Sequence, residues 1–227
     1  MIERILESLG ASFRRHWAVW LLALTWFFLL FPGLDLWVSG LFYEPGGGWV
    51  HGRGWFAEFV RKGLPTVMIG ALLFVIFLWG AGLIYRQKFL GIDGRVTGFL
   101  VSSLVIGPGL IVNSLLKENW GRGRPNDMAV FGGEFPYAPP GMIVDQCVSN
   151  CSFTSGHGAL GFWAVAFAFL VPKRHRAEAV ALALVFGLMV SFVRIVQGGH
   201  FLSDTIWSAV IVLTVTWALH RLILGKR

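Results

Sequence analysis

The sequence predicts an all-α, polytopic membrane protein with six helices in a bundle, and three observations carry that prediction. Of the 227 residues, 56% are apolar and 14% charged, too greasy a balance for an ordinary water-soluble fold. Six stretches approach the roughly 20 apolar residues that a spanning helix needs: 17–34, 64–85, 96–116, 154–171, 179–196 and 205–224. Their apolar runs are continuous rather than alternating, which suits helices and not barrel strands, and lipid offers the backbone no third choice.

The first stretch follows Arg14 and Arg15 but lacks a small-residue cleavage site, so it is expected to stay in the bilayer. The second and third carry no charge. The fourth is short without its Thr154-Ser155-Gly156-His157 entry. The fifth contains Arg194, and the sixth His220 and Arg221. Arg221 can snorkel, whereas Arg194 requires a reason. With no internal repeat of 20 to 50 residues, 1–227 reads as a single membrane domain.

Charge fixes the expected orientation. With a cytoplasmic N-terminus, the inside receives Arg4, Arg14, Arg15, Arg86, Lys88, Arg95, Lys173, Arg174, Arg176, Arg221, Lys226 and Arg227, twelve of the nineteen basic residues. Glu3, Glu7, Asp93 and Glu178 join them, which leaves about +8 inside and about −1 outside. Both termini are therefore expected in the cytoplasm. The net charge of +7 is scattered among membrane segments with no free basic tail, which argues against nucleic acid as a partner.

Two outer segments remain. The first, 35–63, carries Trp37, Phe42, Tyr43, Trp49, Trp55, Phe56 and Phe59 around Gly46-Gly47-Gly48, and reads either as an interfacial aromatic belt or as a lid over a lipid-entry surface. The second, 117–156, is long and rich in Gly and Pro, a length that is usually functional or disordered. It holds the only cysteines, Cys147 and Cys151. They could form a small disulfide if a turn brings their Cα atoms within about 7 Å; two thiols alone are at most half a zinc site. Asn150-Cys151-Ser152 matches a glycosylation acceptor, read here as chance.

Three clusters on the outer side carry chemistry. Lys117 and Arg124 are seven positions apart, with Gly121, Gly123 and Pro125 ending regular helix between and after them. A guanidinium matches phosphate oxygens in a fork and lysine adds a point charge. Ser155, Gly156 and His157 stand at a helix N-terminus, where free N–H groups favour an anion. Arg194 and His200 flank a Gly198-Gly199 turn, and Asp204 follows His200 by four, so its carboxylate can accept the imidazole Nδ1–H and leave Nε2 free. Taken singly, each has a plain explanation: a solvated basic turn, a helix cap beside an interfacial histidine, an Asp cap. Together on one side of a membrane, those explanations leave Arg194 unaccounted for.

Lys117, Arg124 and Pro125; Ser155, Gly156 and His157; and Arg194, His200 and Asp204 resemble, in order, the Lys-x6-Arg-Pro, Pro-Ser-Gly-His and Ser-Arg-x5-His-x3-Asp motifs of the type 2 phosphatidic acid phosphatase (PAP2) superfamily. The resemblance runs from about the third helix to the sixth. Thr154 stands where the family usually has Pro, and Val193 where it usually has Ser. The resemblance implies His200 as the nucleophile that takes the phosphoryl group, His157 as the acid protonating the leaving oxygen, and Asp204 as the residue orienting His200. It implies Lys117, Arg124, Ser155, Gly156 and Arg194 as phosphate ligands, with no metal or cofactor. Arg122, outside the pattern, is a further candidate for substrate contact.

The expected partners are the bilayer and a lipid phosphate, at the periplasmic face of a bacterial inner membrane. Lipid A, undecaprenyl pyrophosphate, phosphatidylglycerophosphate and phosphatidic acid all fit, and the long outer loop with paired cysteines is most similar to the lipid A phosphatases. A lipid-to-lipid phosphotransferase would share every motif. A non-catalytic lipid-phosphate transporter would need the basic pocket but not His200 beside Asp204.

Overall fold

The computed structural model describes Arg15, His16, Val19, Trp20 and residues 22–225. Trp17, where the first stretch begins, both termini, and the charges at Glu3, Arg4, Glu7, Arg14, Lys226 and Arg227 that enter the orientation count lie outside the described residues.

Among the described residues the fold is all-helical, with only isolated bridges in place of strands. Helix α1 (Leu22–Leu30) meets α2 (Gly33–Gly40) at a bend of 70°, where Pro32 biases the residue before it away from helix. Four helices are long and apolar enough to cross a membrane: α3 (Trp55–Tyr85), α4 (Gly94–Asn119), and, after two short helices, α7 (Lys173–Val196) and α8 (Leu202–Leu224). The bent α1–α2 pair makes five if it is one span. A sixth helix of that length is not seen among the described residues: in place of one helix over 154–171 stand α5 (Gly156–Trp163) and α6 (Val165–Ala168), and the chain leaves helix before Pro172.

The segments expected on the outer side are also shorter than expected. Residues 35–63 are not one loop, because α2 covers their start and α3 begins nine residues before position 64. Of the aromatics there, Trp37 and Trp55 are 64% and 83% exposed, as a belt would have them. Trp49 instead packs with Tyr43 and Phe131 and covers Gly198, where a Cβ would lie 2.3 Å from its ring. Trp37 and Trp55 thus face outward while Trp49 packs inward within one segment.

Three helices widen to i+5 hydrogen bonding, at Phe59–Gly63 in α3, at Val105–Leu116 in α4 and at His220–Leu224 in α8. In α4 the cause is Pro108, which has no N–H and crowds the preceding turn; Asn113 Nδ2 bonds its carbonyl at 2.7 Å. The Asp93 carboxylate caps the start of α4, accepting from the N–H groups of Arg95 and Val96, each at 3.1 Å.

Phe99, Leu100, Val112, Trp163, Val190 and Val212 from α4, α5, α7 and α8 form the buried centre. The Trp163 indole N–H is satisfied there by Ser103 Oγ at 2.9 Å. Outward faces are as apolar as the core: Phe77, Ile84 and Leu182 are each more than 60% exposed. Lipid accepts such surface and water does not.

Candidate active site

The three clusters converge because the segment after α4 doubles back along it. Trp120 O accepts from Val144 N at 3.1 Å, Gly121 O from Gln146 N at 3.0 Å, Lys117 O from Cys151 N at 3.2 Å, and Arg122 O from Ser152 N at 2.8 Å. This alignment depends on Gly121, whose φ is +67° and where a Cβ would lie 1.7 Å from Val144 O. Ser155 N then donates to Asp204 O at 3.3 Å, which joins the start of α5 to the first turn of α8.

His200 is wholly buried. Its Nδ1–H donates to the backbone carbonyl of Ser152 at 2.9 Å, and its Nε2 has no hydrogen-bond partner among the described residues. Burial lowers its pKa to about 3; the Asp204 carboxylate opposes the shift, and the positive charges of Lys117 and Arg194 reinforce it. The imidazole is therefore neutral at working pH, with the Nε2 lone pair available.

Asp204 orients His200 differently from the sequence expectation. Its Oδ2 is 3.7 Å from Nδ1, beyond hydrogen-bonding distance. Its oxygens instead accept from Ser152 Oγ at 2.6 Å, Phe201 N at 2.9 Å and Arg122 Nη1 at 2.5 Å. The carboxylate fixes Ser152, and Ser152 fixes the imidazole.

Arg122 is not a substrate contact. It is wholly buried, bonded to Asp204 on one side and to Asp35 Oδ2 of α2 at 2.8 Å on the other, with the Phe201 ring 4.3 Å from its guanidinium carbon. Asp35 also accepts from Tyr137 Oη at 3.0 Å, from Ser203 N at 2.9 Å and from Ser203 Oγ at 2.5 Å. Two carboxylates around one guanidinium satisfy the requirement that buried charges be paired.

The other predicted residues stand as follows. Ser155 caps α5, its Oγ accepting from Gly158 N at 3.1 Å. A Cβ on Gly156 would lie 2.5 Å from Asn113 Oδ1, so the glycine admits a side chain of α4. His157 Nε2 lies 2.8 Å from the carbonyl of Arg61; since a carbonyl only accepts, that nitrogen carries a proton and Nδ1 is left for exchange. The widened turn at Phe59–Gly63 includes Arg61, and such turns leave carbonyls available. Lys117, Arg124 and Arg194 are all close enough for their charges to act on His157. Arg194 is bonded through Nη1 to Gln197, and its buried Nε is unpartnered among the described residues. Lys117 and Arg124 both bond Asn150.

A cavity of about 720 Å³ reaches this site between α3 and α4, lined by the polar Lys117, Asn150 and His157 and by the apolar Pro65, Ile69, Leu104, Val105 and Leu110. Cys147 and Cys151 form a disulfide with Cα atoms 5.6 Å apart. Among the described residues, no group of three His, Cys, Asp or Glu side chains is arranged to hold a metal ion.

Sequence reasoning passed over Asp35, Asn113, Ser152 and Asn150. Asp35 carried a signal, being an acid directly after an apolar stretch. Ser152 acts chiefly through its backbone carbonyl, which no residue type announces.

Three relatives are similar to this chain along most of its length. The Lipid A 4'-phosphatase of Francisella tularensis subsp. novicida (strain U112) is 35% identical over 213 residues, covering 88% of this chain and 91% of the relative. That of Rhizobium etli is 31% identical over 217 residues (90% and 84%), and that of Rhizobium leguminosarum 31% over 219 (89% and 93%). No solved structure matches. The PAP2 superfamily model matches residues 96–227, the stretch that supplies every one of the predicted site residues, and the chain belongs to the PAP2 superfamily.

Proposed function

We propose that this chain is a multi-pass phosphatase of the bacterial envelope that hydrolyses a phosphate ester on lipid A, with His200 as nucleophile. The observation that carries the reading is His200 itself: Nδ1–H held by Ser152, Nε2 unpartnered and neutral, in the field of Lys117 and Arg194. Lipid A is favoured over other envelope lipids by the relatives, each similar across most of its length.

Nε2 attacks phosphorus as the P–O bond to the lipid breaks. The substrate's phosphate dianion offsets the three cations around His157 and lets the ring hold a proton at Nδ1 while Nε2–H stays on Arg61; that proton passes to the leaving oxygen. Water, deprotonated by His157, then cleaves the N–P bond to release phosphate and restore both histidines. Lys117, Arg124 and Arg194 neutralise the phosphoryl oxygens, with Ser155 and the α5 N-terminus as further donors. These fixed cations supply the charge that a metal supplies elsewhere, so the reaction is proposed to be metal-independent. The apolar lining of the cavity between α3 and α4 suits an acyl chain. We place the chain in the inner membrane as one domain, with both termini cytoplasmic, the site periplasmic, and 154–171 and the α1–α2 pair completing six crossings.

The test is purified protein offered lipid A and the other envelope lipid phosphates, with released inorganic phosphate counted and His200→Ala as blank. Release from lipid A that is lost in the variant is expected. Equal release by His200→Ala would remove the nucleophile, and phosphate appearing on a second lipid instead of in solution would make the chain a transferase.

A further inference from the structure

Lys117 and Arg124, the two cations of the first motif, are held by the same residue. The side-chain oxygen of Asn150 accepts from Lys117 Nζ, and its backbone carbonyl accepts from Arg124 Nη2 at 2.7 Å. Its own N–H donates to Glu118 Oε1 at 3.2 Å. Its φ of 51° lies in the left-handed region, which Asn adopts more readily than other side-chain-bearing residues. Asn150 lies inside the five-residue ring closed by the Cys147–Cys151 disulfide, and that ring is anchored by Cys151 N on Lys117 O at 3.2 Å. Asn150 also lines the cavity with Lys117, Gly156 and His157.

We infer that Asn150, presented by the Cys147–Cys151 ring, is a positioning residue that sets Lys117 and Arg124 as a pair for the phosphate. Long cationic side chains lose much rotamer freedom when an anion immobilises them; a residue that orders them beforehand removes that cost from binding. Lysine has three N–H donors and arginine five, so bonds to Asn150 leave donors for phosphate oxygens. An amide suits the role because it accepts without charge: an Asp in its place would hold the same cations but repel the phosphate. The ring then serves binding as well as stability, since it fixes the backbone on which Asn150 sits.

The inference rests on the proposed phosphoryl pocket, so its test uses a probe that binds without turnover. Orthovanadate affinity is measured for the full chain in detergent micelles, for wild type, Asn150→Gly, Cys147→Ser/Cys151→Ser and their combination. Glycine takes φ 51° without strain, so Asn150→Gly deletes the side-chain oxygen and keeps the carbonyl that holds Arg124. About a tenfold rise in vanadate Kd is expected, the loss of one charge-assisted hydrogen bond. The double serine variant should weaken binding comparably, and the combination should lose no more than about twofold further, because both changes act on one pair of cations. Asn150→Asp should bind worse than Asn150→Gly. With lipid substrate, KM rises in Asn150→Gly while kcat is nearly unchanged.

A loop with only a structural role would lower the melting temperature and leave the Kd of the folded protein alone. Equal or tighter vanadate binding by Asn150→Gly overturns the inference while the pocket stands. A wild-type chain that binds no vanadate overturns the pocket and the inference with it. If the serine variant does not fold, Asn150→Gly decides the matter.

Discussion

Arg122 and Asp35, 87 positions apart in the chain, form an ion pair of 2.8 Å in which both side chains are wholly buried. The pair ties α2 to the start of α8 through a guanidinium whose other side holds Asp204. Removing one partner of a buried network is costly because the remaining charges stay in a medium that solvates them poorly. Arg122→Met strands two carboxylates and is expected to destabilise the fold by about 3–5 kcal/mol. Thermal unfolding in detergent checks this, and a variant that melts within about 2 °C of wild type would show that the network contributes little.

His200 links stability to pH. In the unfolded chain a histidine takes up a proton near pH 6.5, whereas burial holds folded His200 neutral down to about 3. Its contribution is therefore complete above pH 6.5 and erodes as pH falls toward 3. His200→Gln, which cannot titrate, should gain on wild type in melting temperature between pH 7 and pH 4. A constant difference across that range would mean that His200 titrates normally. For the same reason, any acid limb of kcat/KM near pH 6.5 should come from the substrate phosphate and not from the nucleophile.

Ser152 stands between Asp204 and His200, so the two should act as a unit. Ser152→Ala keeps the carbonyl that holds Nδ1 and loses the bond to the carboxylate; about a tenfold fall in kcat is expected, against about 100-fold for Asp204→Asn. The double variant should be no slower than Asp204→Asn alone. Multiplying effects in phosphate-release assays would mean that Asp204 reaches His200 by another route.

Gly121 carries the alignment of the two segments that build the pocket. Gly121→Ala places a methyl group where Val144 O lies and forces φ +67° on a residue that resists it. The 144–152 segment is expected to detach, with faster proteolysis there and loss of vanadate binding, while α3, α4, α7 and α8 retain their helical circular dichroism. Unchanged cleavage and binding would refute this role.

Much of this molecule is legible in the sequence, and its limits have physical causes. Helices α3, α4, α7 and α8 follow from apolar runs, and the residues of the three motifs meet because their spacing is local to helix ends on one side. Orthodox helix reasoning fails where the helix is irregular: Pro108 was visible inside 96–116, but the widening it causes reaches as far as Leu116. It fails again at Arg122, where a basic residue beside the two cations of the first motif reads as a third of the same kind, since the partner that turns it inward, Asp35, is distant in sequence. The disulfide is not legible from the positions of its cysteines, because spacing alone does not bring two Cα atoms to 5.6 Å.

The placement of α5 and α6 has a consequence for how a lipid gets in. No residue from 156 to 168 is exposed, because α4, α7 and α8 pack around these short helices. An acyl chain therefore has no path to His157 across α5 itself, and the doorway is the seam between α3 and α4, where Pro65, Ile69, Val105 and Leu110 line the cavity. Bulk added at that seam, as in Val105→Trp, is expected to slow turnover of a lipid phosphate while leaving the Kd for vanadate, which needs no doorway of that width, within about twofold. Equal turnover by the variant would mean that lipid enters elsewhere.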